Sequence, residues 1–139
     1  MRKTARENAF KLIFESLING GGNKLSYAAL TSGLSDEDKQ FLDALVEGVS
    51  SNQAFLSEII GGYASGYAVE RIYKIDLALL LIASFEILFM EDVPVKVSVN
   101  EAVELAKVYS TDNSPSFVNG ILASVIKNKE DILNERNAD

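Results

Sequence analysis

Between residues 4 and 18 the apolar residues Ala5, Ala9, Leu12, Ile13 and Leu17 recur at intervals of three and four, and Phe10 and Phe14 widen the stripe. That period predicts an amphipathic helix, and GGGN at residues 20–23 ends it. A short second helix is expected over residues 25–30. Ser35 then reads as an N-cap, with Asp36, Glu37 and Asp38 in the first turn, where the helix dipole favours negative charge. Phe41, Leu42, Leu45, Val49, Leu56, Ile59 and Ile60 carry one apolar face to Gly61-Gly62, which predicts a long third helix. After a shorter helix over residues 68–73, the chain becomes apolar on nearly every side in LALLLIASFEILFM, residues 77–90, and stops at EDVP. A helix without a polar face must be enclosed by others, so this one is predicted to be the central post of the fold.

Ser98 and Glu101 have the S-x-x-E spacing of a capping box. They predict a helix starting there, with Val99, Ala102, Val103, Leu105, Ala106 and Tyr109 as its stripe and Glu101, Glu104 and Lys107 opposite. The last helix is expected from Ser114-Pro115 to about Lys129, and the charged tail after it is expected to fray. With only two prolines and few alternating β-branched runs, the pattern as a whole predicts an all-α protein.

The stretch NSPSFVNGIL, residues 113–122, places a turn-like Asn119-Gly120 inside that last helix. The start is sound, because Pro115 suits a first-turn position and Ser114 can cap. Glycine inside a helix costs about 1 kcal/mol relative to alanine. Gly120 is therefore expected at a close helix crossing, with Asn119 bonded to the neighbouring backbone. A ligand role for the pair is the less favoured alternative.

Composition narrows the function classes. The 139 residues, 47 % of them hydrophobic, suit one domain with a real core. The absence of cysteine and histidine removes disulfide frameworks, the usual zinc sites, thiol nucleophiles and imidazole acid–base chemistry. Serines have no histidine to activate them, no G-x-x-x-x-G-K loop is present, and the acidic pairs fall at helix ends. Neither an enzyme nor a cofactor or metal site is expected. The N-terminus lacks an uninterrupted apolar region of the signal-peptide kind, and residues 77–90 are too few to cross a bilayer, so a cytoplasmic protein without membrane contact is expected.

A net charge of −7 argues against indiscriminate binding to nucleic acid. Arg2, Lys3 and Arg6, however, precede any acid and, with the α-amino group, concentrate positive charge at one end of the first helix. At 100° per residue Arg2 and Arg6 share the side of Ile13 and Leu17. Either the helix end projects and holds phosphate, or Arg6 turns inward to a carboxylate such as Glu86. Glu86 is the lone acid in the apolar helix and needs a partner, so a structural ion pair is expected. Glu70 and Asp76 flank the break before that helix; they read as solvated charges, as dipole partners or as an acidic docking edge. Phe117, beside Ser114 and Ser116, either staples its helix to the core or offers a face for base stacking.

Residues 92–122, DVPVKVSVNEAVELAKVYSTDNSPSFVNGIL, resemble the signature region of the NusB transcription antitermination proteins in two blocks, DVPVKVSVNEAVELAK and SPSFVNGIL. ARENAF at 5–10, DKQFLDALVEGV at 38–49 and ERIYKID at 70–76 follow the family order, so the resemblance covers nearly the whole chain. It implies an all-helical domain of two small antiparallel bundles packed together, an N-terminal half over 1–62 and a C-terminal half over 63–139. It also implies pairing with the ribosomal protein NusE and binding of boxA RNA within the transcription elongation complex, notably on ribosomal RNA operons. By position, RNA contacts map onto Arg2, Lys3, Arg6, Ser116 and Phe117, and contacts to NusE onto Glu70 and Asp76.

Two departures bear on these expectations. The N-terminus carries fewer arginines than strongly basic members, and Leu81 stands where some members have an arginine. Both imply weak RNA binding by the isolated protein and dependence on the partner. The alternatives are a helical scaffold that binds proteins only, or a relative of the N-terminal domain of ribosomal RNA cytosine methyltransferases. A homodimer that buries the basic patch is also left open.

Overall fold

Helix α4, Lys74–Phe89, buries residues around its whole circumference, from Asp76 and Leu77 through Ser84, Glu86, Ile87 and Leu88. It is the central post, as its sequence requires. The structure, a computed structural model, describes residues 2–65 and 68–138. Among them α1 covers Arg2–Asn19, α2 Lys24–Thr31, α3 Asp36–Tyr63, α5 Val95–Tyr109, α6 Ser114–Lys127 and α7 Lys129–Ala138, with a 3-10 turn at Val69–Arg71. Helices α1, α3, α5 and α6 all pack on α4, and one continuous apolar cluster runs from Ala5 and Ala9 of α1 to Val118, Leu122 and Val125 of α6. Leu81 is fully buried in that cluster.

Local signals set the helix starts. The Asn23 side chain accepts from the amides of Leu25 and Ser26 and opens α2, and Ser35 accepts from Asp38 and opens α3. Four expectations are corrected. Helix α5 begins at Val95 after Pro94, so Ser98 is an interior, buried residue and no capping box forms. Asn113 is the N-cap of α6 and makes no side-chain cap bond, and Ser114 turns its hydroxyl to Asp76 instead. The expected 68–73 helix is the short 3-10 turn. The tail is helical, because Arg136 lies over the rings of Phe55 and Phe89 at 5.1 and 4.7 Å and bonds Asn52, while Ile132 reaches the core.

The glycine expectation is corrected too. Asn119 and Gly120 are exposed, and a Cβ added at Gly120 would meet nothing within 4 Å. The pair sits on the outer face of α6 and marks no crossing. The close approach occurs at Gly48, where an added Cβ would fall 2.1 Å from Phe85 Cζ of α4.

Candidate nucleic-acid interface

The start of α1 is held by three bases facing three acids. Arg6 places Nε 2.8 Å from Glu86 Oε2 and Nη2 2.7 Å from Glu86 Oε1, in a bidentate pair buried on both sides. The Ser98 hydroxyl donates to the same Glu86 Oε1 at 3.1 Å, so the carboxylate is well supplied with donors. Arg6 therefore turns inward. It is 4 % exposed and is corrected from an RNA contact to a structural residue.

Arg2 and Lys3 lie one layer further out. Arg2 Nη2 is 3.1 Å from Asp92 Oδ2, with its guanidinium 4.5 Å from the centre of the Phe41 ring. Lys3 Nζ is 3.3 Å from Glu101 Oε2, and Glu101 Oε1 lies 3.9 Å from Arg6 Nη1. The Arg2 and Lys3 side chains remain 44 % and 65 % exposed. The α-amino group of residue 1, which would add to this patch, lies outside the described residues. Asp92 and Glu101 are the neighbours that sequence reading missed. They are 90 and 98 residues away in the chain, and the S-x-x-E spacing reads Glu101 as part of a capping box.

A second cluster occupies the opposite end of α4. Asp76 accepts from the hydroxyls of Ser110 at 2.6 Å and Ser114 at 2.9 Å. With its own proton on Asp76, Ser114 accepts from the hydroxyl of Thr111 at 2.8 Å and from its amide at 3.3 Å. Asp76 is 3 % exposed, so it ties the α5–α6 loop to α4 and is corrected from an acidic docking residue. Glu70 is exposed on the 3-10 turn. Beside the cluster Arg71, Ile72, Tyr73, Asn113 and Phe117 line a groove of about 340 Å³. Phe117 is partly buried against the core and Ser116 is exposed. Ten residues of α4 separate Asp76 from Glu86, about 15 Å. The candidate residues on α6 and those on α1 thus stand at opposite ends of one helix.

Beside the Asp76 end of α4, Phe10, Phe14 and Ile18 of α1 line an open apolar groove of about 360 Å³ together with Ile75 and Tyr109. Its signal was in the sequence, since residues 10, 14 and 18 recur every four and lead from the buried Phe10 at the edge of the core stripe to the exposed Ile18. The Tyr109 hydroxyl donates to the Glu7 carboxylate, and this bond, with partial burial, raises the Tyr109 pKa above the ordinary tyrosine value.

The model of the NusB family matches residues 3–127. The chain belongs to the NusB family. It is 36 % identical to the transcription antitermination protein NusB of Alkaliphilus oremlandii over 136 residues, covering 96 % of this chain and 99 % of that one. It is 40 % identical to that of Clostridium novyi over 134 residues, covering 91 % and 98 %. Among solved structures, T. maritima NusB superposes with a TM-score of 0.83 at 27 % identity, covering 96 % of this chain and 97 % of that one. A complex of the antitermination factors NusB and NusE with double-stranded RNA contains a chain matched with a TM-score of 0.81 at 19 % identity, covering 91 % of this chain and 96 % of that one, which bears on fold alone. The family is one of transcription antitermination factors and not of enzymes. Helix α7 lies beyond the matched family region. No helix among the described residues is long and apolar enough to cross a membrane.

Proposed function

We propose that this NusB-family protein works in the cytoplasm as an antitermination factor that pairs with NusE and, as that pair, binds boxA RNA within the transcription elongation complex, notably on ribosomal RNA operons. The observation that carries the reading is the pair of exposed cations, Arg2 and Lys3, at the start of α1 in a chain matched to the family almost end to end. Arg2 and Lys3 supply phosphate contacts, while Ser116 and Phe117 meet the RNA at the far end of α4. An RNA touching both ends must run along the molecule, which suits an extended single strand. The protein partner takes the exposed Glu70 and the apolar groove of Phe10, Phe14, Ile18, Ile75 and Tyr109, since such interfaces combine polar and apolar contacts.

A second reading, a scaffold for proteins only, is favoured by one observation: every base at the start of α1 already faces an acid of the same chain. Anisotropy of a labelled boxA RNA, with and without cognate NusE and at two salt concentrations, separates the two. Partner-dependent, salt-sensitive binding is the expected result. Binding of NusE without any binding of RNA would establish the scaffold.

A further inference from the structure

We propose that Asp92 and Glu101 are built-in competitors of the RNA backbone for Arg2 and Lys3, and that they hold down the RNA affinity of the protein alone. The proposal rests on the reading that Arg2 and Lys3 contact RNA. Each of these bases already holds an anion of the chain's own, Asp92 on Arg2 at 3.1 Å and Glu101 on Lys3 at 3.3 Å. A carboxylate and a phosphate use the same N–H donors. A phosphate can therefore reach either base only by displacing a carboxylate, which then remains nearby as a like charge.

The bases do not need these acids to stay in place. Arg2 rests over the Phe41 ring, and Lys3 belongs to a helix anchored one turn later by the buried Arg6–Glu86 pair. Neutralising the acids thus leaves a formed cationic site. The two competitors differ. Asp92 is 64 % exposed and pairs only with Arg2 among the described residues, so it swings away readily. Glu101 is 20 % exposed and also lies 3.9 Å from Arg6, so it stays close after Lys3 leaves it. Glu101 is the stronger competitor.

The salt dependence carries the signature. A base that exchanges its own carboxylate for a phosphate leaves a negative charge that recruits a cation, so fewer counterions are released in net. Removing the carboxylate restores the ordinary release, about 0.7 in the log–log salt slope per phosphate of a single strand.

The test is anisotropy of labelled boxA RNA with the full-length protein alone, as wild type, D92N, E101Q, the double variant, and each of these combined with R2A/K3A. E58Q, on the exposed side of α3, controls for net charge. Each neutralised acid is expected to tighten binding by up to about fivefold, the scale of an exposed ion pair, with E101Q ahead of D92N. The salt slope is expected to steepen, and both gains should vanish with R2A/K3A. If R2A/K3A weakens binding but neutralising the acids changes neither affinity nor slope, competition is wrong and the RNA face stands. An equal gain from E58Q, or a gain that survives R2A/K3A, also overturns competition. If R2A/K3A has no effect in any background, the RNA face itself is wrong. D92N, on an exposed turn, decides the matter alone should E101Q disturb Arg6.

Discussion

Arg6 of α1 and Glu86 of α4 meet as a buried bidentate pair, 2.8 and 2.7 Å at its two contacts, eighty residues apart in the chain. Removing one partner leaves an uncompensated buried charge. R6A or E86A is therefore expected to lower stability by about 3–5 kcal/mol, and the double replacement R6M/E86L to recover most of that loss. Urea unfolding of the three variants checks both statements. An additive loss in the double variant would contradict the pairing.

Glycines 48 and 120 give opposite predictions for the same substitution. G48A drives a methyl into the Phe85 ring and is expected to destabilise by about 1–3 kcal/mol. G120A adds a methyl in open space on a helix and is expected to stabilise by up to about 1 kcal/mol. Thermal unfolding should move the two midpoints in opposite directions.

These two glycines also show where sequence reading reached its limit. The helical period found α1, α3, α4 and α6 to within a few residues, because each has a buried face whose spacing is written in the chain. It could not tell which glycine lies against a neighbour, since that depends on how α3 crosses α4. Glu86 stood out as a lone acid in an apolar helix, so its need for a partner was legible, and Arg6 was a named candidate. The exposed pairs Arg2–Asp92 and Lys3–Glu101 left no trace, because no period links residues so far apart. Asp76 looked like a surface acid until the hydroxyls of Ser110 and Ser114 closed over it. The α7 helix was missed because its anchors, Ile132 in the core and Arg136 over two rings, are too few to write an apolar stripe into a charged tail.

Asp76 tests the division between structure and partner binding. D76A leaves the Ser110 and Ser114 hydroxyls without their acceptor and is expected to cost about 1–3 kcal/mol in denaturant unfolding. A variant of unchanged stability that only loses affinity for NusE would return Asp76 to the docking edge.

Tyr109 makes stability depend on alkaline pH. Its hydrogen bond to Glu7, aided by burial, raises its folded-state pKa above the unfolded value near 10. The folded protein then holds the phenolic proton more tightly than the unfolded chain does. This contribution is fully present below about pH 10 and is lost as the pH rises through the folded-state value. Unfolding followed from pH 8 to 11 should show a decline that Y109F lessens. An identical decline in Y109F would contradict it.

The central claim is that this chain supports antitermination through an RNA face at the start of α1. Readthrough of a terminator downstream of boxA tests it most directly, in a reconstituted elongation complex containing cognate NusE, with wild-type protein and with R2A/K3A. The account predicts readthrough with the wild type and its loss with R2A/K3A, while NusE binding is retained. Equal readthrough by the two proteins would contradict it.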